Sequence, residues 1–164
     1  LVLKKSIHEV KAMLNKAAIT LNSDFGIEFS HHYGQENFRE TGALIIDCIN
    51  REYCKKLIVV LPGQRHPEHY HKRKEETFQV LTGEFECVIG GHKKTLLPGE
   101  MALVQPGVWH EFWSKDGCII EEVSTTHYKN DSVYNDQKIN ELTLAQRKTI
   151  VKNWGRYELA ENNQ

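Results

Sequence analysis

The chain has 164 residues, 40% of them hydrophobic and 26% charged, and its mean hydropathy is -0.53. These values are typical of one soluble globular domain and exclude a collagenous or disordered chain. The longest apolar run, 57–61, is far shorter than the roughly 20 residues that a membrane-spanning helix needs. Lys and Arg total 21 against 22 Asp and Glu, a net charge of -1. We therefore expect neither a membrane nor a nucleic acid as partner.

The cysteine usage predicts reduced thiols in a cytoplasmic protein. The four cysteines show no C-x-x-C spacing, and a chain of this size stabilises itself by core burial rather than by disulfides. We expect neither a transmembrane nor a secretory segment. The sequence begins with Leu1 rather than Met, which leaves open a processed chain, an alternative start or a domain of a longer polypeptide.

Residues 1–24 predict an amphipathic helix. Their apolar residues recur at spacings of three and four, which places them on one stripe. Ser6 and Glu9 have the spacing of a capping box at the start of the helix. Such a stripe packs on a sheet or forms a dimer contact, and we favour packing. The stripe consists of Leu3, Ile7, Val10, Leu14, Ala17 and Leu21.

Residues 25–127 predict an antiparallel β-sandwich or barrel. Short β-rich runs alternate with Gly- and Pro-containing turn signals such as Pro62-Gly63 and Thr82-Gly83. The clearest predicted strands are 43–49, 57–61, 77–81, 85–89, 101–104 and 118–123.

Residues 128–164 predict a C-terminal extension with a second helix. A polar stretch precedes the segment Thr143 to Trp154, which we interpret as helical, with Thr143 and Gln146 as a capping pair. The tail from Ala160 onwards is expected to fray.

A cluster of metal-ligand residue types dominates the middle of the chain. His69 and His71 lie two residues apart on a predicted strand, so both imidazoles project from the same face and can reach one ion. Glu76 follows a short turn, and the next strand can bring its carboxylate over the pair. Gly63 and Gly83 stand where turns are needed.

A second motif lies about 25 residues further on. A hairpin that delivers His110 would complete three imidazoles and one carboxylate around one ion. This set leaves coordination positions open on an octahedral ion, which is typical of a catalytic site rather than a structural one. Glu75 is the only rival to Glu76, and the spacing to Gly83 favours Glu76.

The remaining histidines are expected to be less informative. We interpret His31, His32, His66 and His92, which lie near turn residues, as solvated loop side chains. His127 follows a predicted strand, and it either lines the mouth of a cavity or has a structural role.

Further polar residues are candidates for the interior of the barrel. Glu122 would be a buried carboxylate suited to proton transfer if its face of the strand is interior; otherwise Glu121 takes that place. Lys56 could donate to substrate oxygens at the cavity edge, although spacing alone favours a solvated side chain beside Lys55. The other candidates for substrate binding are Gln64, Asp131 and Trp109, with Trp109 able to stack on a sugar ring.

The two histidine motifs, from Gly63 to Ser114, resemble the paired motifs of the cupin superfamily. The first matches at every fixed position. The second has Gln105 where the motif usually has proline, and Ser114 where it usually has asparagine. Neither departure removes a ligand. The resemblance implies an all-β double-stranded β-helix, the jelly-roll barrel of cupins, with flanking N- and C-terminal helices.

Two longer runs resemble D-lyxose isomerase-type cupins: 56–76, which reads KLIVVLPGQRHPEHYHKRKEE, and Glu122 to Thr126 with Asp131 downstream. The chain also resembles the cupin domain attached to N-acetylneuraminate synthase-type proteins, in its segments 31–34 and 50–54. These resemblances imply a carbohydrate-directed domain that takes a sugar or sugar acid and either isomerises it or belongs to a larger synthase.

The resemblance carries over His69, His71, Glu76 and His110 as ligands of one divalent ion, commonly manganese, with zinc, iron, nickel or cobalt as alternatives. Lys56 and Glu122 carry over as substrate-contacting or proton-transferring groups. By analogy, and from the amphipathic first helix, we expect a homodimer. Two other functions stay open: a sugar-binding module without chemistry, and an iron-dependent dioxygenase, which the same ligand set suits.

Overall fold

Two antiparallel sheets pack face to face in the computed structural model, which describes residues 1–155 and 158–159. The larger sheet has the strand order β13-β12-β1-β2-β3-β10-β5-β8, and the smaller one has the order β11-β4-β9-β6-β7. The strands are β1 (Gly26–Ser30), β2 (Ala43–Asn50), β3 (Tyr53–Val60), β4 (Arg65–His71), β5 (Glu76–Gly83), β6 (Phe85–Ile89), β7 (His92–Leu96), β8 (Met101–Val104), β9 (His110–Trp113), β10 (Cys118–Thr125), β11 (Ser132–Tyr134), β12 (Lys148–Asn153) and β13 (Glu158–Leu159). The helices are α1 (Val2–Lys16), α2 (Gln137–Asn140) and α3 (Leu144–Arg147), with a 3-10 turn at Gln35–Asn37.

The predicted first helix is confirmed, and it packs on the larger sheet. Leu3, Ile7, Val10 and Leu14 are buried in one core cluster with sheet residues such as Phe29. The apolar stripe is therefore used within the chain and offers no dimer contact.

The predicted capping box at Ser6 is wrong, because the helix begins one turn earlier. Ser6 lies within α1, and its hydroxyl donates to the Val2 carbonyl at 2.9 Å. The helix also ends at Lys16, so Ala17 and Leu21 extend the apolar contact from outside it.

We expect Ile7→Ala to lower the free energy of unfolding by about 2–5 kcal/mol, the range for truncating a large buried aliphatic side chain. Ile7 is 2% exposed in the core between α1 and the sheet. Urea unfolding followed by far-UV circular dichroism measures the change. Lys4→Ala, on the exposed face of the same helix, is the control and should leave stability nearly unchanged.

The six strands expected between residues 43 and 123 are confirmed to within a few residues at their ends. Strand β7 was not predicted, because four of its five residues are exposed and carry no apolar alternation. The side chains between the sheets, among them Phe78, Phe85 and Phe112, form a second core cluster.

The predicted second helix is largely wrong. The Thr143–Gln146 capping box is present, but α3 ends at Arg147 and the chain continues as β12, antiparallel to β1. Thr149 and Val151 are buried while Ile150 and Lys152 are exposed, which is the period-two pattern of a strand. The expected frayed tail from Ala160 lies outside the described residues.

The sharp turn after β5 depends on a glycine. Gly83 has a φ of +81°, and a Cβ atom there would collide with the Gly117 carbonyl oxygen. The four cysteines are all free thiols. Among the described residues, no helix is both long and apolar enough to cross a membrane.

Candidate metal centre

Three histidines of the smaller sheet converge between the two sheets. His69 on β4 lies directly opposite His110 on β9, and His71 follows two residues after His69 on the same face. One ring nitrogen from each lies within 4.8 Å of the others. All three side chains are buried: His69 is 5% exposed, His71 6% and His110 1%.

A contact at the Nδ1 atom fixes the orientation of each of the three imidazole rings. The Nδ1 atoms of His69 and His110 lie 3.0 Å from the Pro67 carbonyl and 2.9 Å from the Val108 carbonyl. A carbonyl only accepts, so these two nitrogens carry the proton and leave Nε2 with a free lone pair. The third ring contacts the Ser132 hydroxyl at 3.1 Å. This arrangement of outer partners is typical of metal-ligating histidines.

Glu76 approaches the same point from β5 of the larger sheet. Its Oε1 atom lies 2.9 Å from His110 Nε2 and 3.3 Å from His71 Nε2, and the side chain is 1% exposed. Among the described residues, Glu76 Oε1 and His110 Nε2 face each other without a hydrogen bond of acceptable geometry. Buried polar atoms are rarely left unsatisfied. Three imidazoles and one carboxylate therefore fit a divalent cation. Glu75, the rival carboxylate, is exposed.

The charge balance of the site depends on a buried lysine, Lys74, which lies just before β5. Lys74 Nζ lies 2.9 Å from Glu76 Oε2 and 3.4 Å from Glu122 Oε2. Burial opposes ionisation of Glu76, but Lys74 and the imidazoles of His110 and His71 hold its pKa well below the ordinary value. Burial also raises the pKa of Glu122 to about 7, with Lys74 opposing the shift. The ammonium therefore links the candidate ligand to the carboxylate beside it.

We expect Lys74→Met to lower the free energy of unfolding of the metal-free protein by about 3–5 kcal/mol, because it leaves two buried carboxylates without their cation. Urea unfolding in the presence of a chelator measures the loss. Lys72→Met, at an exposed position two residues earlier, is the matched control. Equal stability of the two variants would contradict the ion cluster.

The predicted catalytic candidates lie in one cavity with these ligands. Glu122 on β10 points inward and is 4% exposed, whereas Glu121 points outward. Of the two carboxylates, Glu122 is therefore the one on the interior face of the strand. Lys56 lies opposite Glu122 across β3 and β10. Its solvated interpretation is wrong: Lys56 is 4% exposed, with Nζ 3.4 Å from Asp47 Oδ1 and 3.8 Å from Glu28 Oε2.

The three predicted substrate-binding residues are not among those that line this cavity. Gln64 is fully buried and bonded to the backbone: its Oε1 accepts from Leu61 N, and its Nε2 donates to the Phe38 carbonyl. The Asp131 carboxylate accepts from the backbone N–H groups of Arg73 and Lys74. It therefore positions the segment that carries Lys74.

Trp109, the third of these residues, lies on the outside of the barrel. It is 37% exposed and packs edge-on against Tyr70, with ring centroids 4.7 Å apart. We therefore do not propose Gln64, Asp131 or Trp109 as substrate contacts at the metal centre.

Several histidines predicted to be solvated are buried, and that interpretation is wrong for them. His66 lines the cavity and stacks on Phe112, His31 contacts Thr149, and His32 contacts the Tyr134 hydroxyl. His92 alone of that group is exposed.

Two further residues, His127 and Tyr134, line the cavity. His127 lines it, in line with one of the two alternatives for this residue. Tyr134 was missed; its ring stacks on His69 with centroids 5.4 Å apart. A bulge in β4 between His66 and His69 lets both rings point inward, which a strict period of two does not predict.

Comparison with known proteins agrees with this geometry. The family described as Cupin domain matches residues 56–117, which include all four candidate ligands. This segment is therefore similar to cupin domains, and the two-sheet architecture of the chain is the cupin fold with flanking helices.

The chain is also similar to curated proteins and solved structures over most of its length. The chain is 28% identical over 170 residues to a D-lyxose/D-mannose isomerase of Thermosediminibacter oceani, covering 84% of this chain and 93% of that one. It is 24% identical over 178 residues to a D-lyxose ketol-isomerase of a Thermofilum species, with 86% and 95% covered. The L-ribose isomerase of Geodermatophilus obscurus has the same fold, with a TM-score of 0.68 at 17% identity over 85% of this chain and 93% of that one.

Proposed function

We propose that the protein is a metal-dependent aldose–ketose isomerase of the D-lyxose isomerase type. The observation that carries the proposal is the convergence of three anchored imidazoles and Glu76 on one point, with the carboxylate of Glu122 in the same cavity. The curated relatives named as D-lyxose isomerases, which match along most of the chain, support the same activity.

His69, His71, His110 and Glu76 would hold one divalent ion, with manganese as our first choice. The bound ion would act as a Lewis acid that polarises the sugar carbonyl and acidifies the neighbouring C–H bond. The protein contributes a buried site with fixed ring orientations, so that little reorganisation is needed when substrate binds.

The proton transfer is assigned to Glu122. Isomerisation moves one proton between C2 and C1 of the sugar while the hydroxyl and carbonyl exchange places, so no external oxidant is required. The Glu122 carboxylate would take the proton from one carbon and return it to the other through an enediol. Lys74 keeps the carboxylate in position at 3.4–3.5 Å. Lys56, which lines the same cavity, would donate to the substrate oxygens.

The test is an anaerobic assay of metal-free protein reloaded separately with manganese, zinc, iron, nickel or cobalt. D-lyxose, D-mannose and L-ribose are supplied, and the ketose product is quantified by chromatography. We expect turnover with at least one ion and none with chelator. Sugar binding without turnover would indicate a binding module instead, and oxygen consumption with a stoichiometric oxidised product would indicate a dioxygenase.

We further infer a homodimer. Leu103 on β8 and Val123 on β10 both lie opposite Thr77 in register, and both are about half exposed on the outer face of the larger sheet. Light scattering after size exclusion measures the mass, and Leu103→Glu should shift a dimer to monomer. The cytoplasmic location and the link to sialic acid synthases remain predictions.

A further inference from the structure

A second cavity of about 550 Å³ adjoins the metal centre. It shares part of its wall with the first cavity, namely His127, Ser132, Tyr134 and Lys148. Segments from the C-terminal part of the chain, including α3 and β12, form much of the rest. A ligand that contacts the metal ligands with one end can therefore extend into this second space.

The wall of the second cavity carries more positive than negative side chains. Lys129, Arg147, Lys148 and Lys152 line it, against the acidic residues Glu28 and Asp131. Both acids already have partners. Glu28 accepts from Lys148 at 3.2 Å and lies near Lys56, and Asp131 accepts from two backbone N–H groups. These carboxylates therefore leave a surplus of positive charge on the wall.

Arg147 provides the clearest sign of a missing partner. Arg147 is only 7% exposed, and its Nε atom has no hydrogen bond among the described residues. No described acidic side chain lies within ion-pair distance of its guanidinium. A buried donor without an acceptor costs about 1–3 kcal/mol, and more when the group is charged. A guanidinium suits a carboxylate or phosphate, which it binds with two parallel hydrogen bonds.

Tyr134 connects this guanidinium to the metal centre. The Arg147 Cζ atom lies 5.5 Å from the centre of the Tyr134 ring, and the ring stacks on His69 with centroids 5.4 Å apart. The two ends of the combined space are therefore separated by a single aromatic side chain.

We propose that the physiological substrate is an anionic sugar, whose phosphate or carboxylate group at the end remote from the carbonyl binds Arg147 and Lys148 in the second cavity. This inference rests on the proposed function for the position of the carbonyl end. A neutral pentose would leave the guanidinium unpartnered, so it should be a poorer ligand.

The binding test uses calorimetry on metal-free protein, so that the anion cannot bind through the ion. The probes are ribose 5-phosphate, glucuronate, ribose and glucose, and the first two distinguish phosphate from carboxylate. We expect at least one anionic probe to bind about 10–100-fold more tightly than its neutral counterpart, the range for a charge-assisted hydrogen-bonded pair. Arg147→Gln should remove this preference, and Arg147→Lys should restore part of it.

Arg51→Gln, at an exposed position outside both cavities, is the matched control and should bind like the wild type. Thermal unfolding of each variant shows whether it is folded. If Arg147→Gln unfolds, the comparison of anionic with neutral probes on the wild type still decides the question. Equal affinity for the two kinds of probe would overturn the proposal, and so would an unchanged preference in a folded Arg147→Gln protein.

The kinetic arm separates this proposal from the proposed function. If isomerase activity is found, Arg147→Gln should lower kcat/KM for the anionic sugar by a larger factor than kcat/KM for the neutral sugar. If no sugar is isomerised but the anion preference depends on Arg147, the proposed function fails while the anion subsite stands.

Discussion

His110→Ala is expected to remove the bound ion and to abolish isomerisation. His110 is 1% exposed, its Nδ1 atom is anchored on the Val108 carbonyl, and its Nε2 atom lies 2.9 Å from Glu76 Oε1. Loss of an outer partner of a metal ligand already costs about 10–100-fold in metal affinity or activity, so loss of the ligand itself should cost more than 100-fold.

Elemental analysis of the purified, metal-loaded variant measures bound ion per chain, and the isomerase assay measures activity on the same sample. His92→Ala is the matched control, since His92 is exposed on β7, and it should retain both metal and activity. A His110→Ala protein with a full equivalent of metal and wild-type turnover would remove His110 from the centre.

Glu122→Gln is expected to retain the metal and to lower kcat by about 10²–10⁴-fold, the range for losing a general acid–base group. The amide has nearly the shape of the carboxylate but cannot take a proton from the substrate carbon. Glu122 is not one of the four candidate ligands, but it interacts with one of them, Glu76, both directly and through Lys74, and the similarly shaped amide should keep these contacts. Metal content and activity should therefore change independently.

The neighbouring Glu121→Gln is the control, because Glu121 faces outward on the same strand and pairs with Lys55 at 3.7 Å. It should leave both quantities near the wild-type values. Full activity in the Glu122→Gln protein would assign the proton transfer to another group, and loss of metal from it would place Glu122 among the ligands.

The metal centre was accessible from the sequence because its geometry follows from strand periodicity. Two histidines separated by one residue share a face of a strand, and Glu76 has the same parity as Phe78 and Val80, which are both buried. The period-two rule does not reach Lys74, because this residue lies in the irregular segment between β4 and β5.

Other residues depend on contacts that local patterns do not contain. Gln64 and Asp131 are polar and lie near the motif, but backbone groups distant in sequence use their side chains. Strand β12 follows α3, whose capping box at Thr143 is visible in the sequence. The extended conformation of β12 depends instead on its pairing with β1, more than 100 residues earlier. His66 points inward because of a bulge. Tertiary pairing decides each of these cases, and a single sequence does not show it.

The most direct test of the metal centre is an anomalous difference map from crystals of manganese-loaded protein. We predict one peak between the sheets, bonded to the Nε2 atoms of His69, His71 and His110 and to a Glu76 oxygen, at about 2.0–2.2 Å. A peak at another position, or His110 turned away from an ion held by the others, would contradict the account.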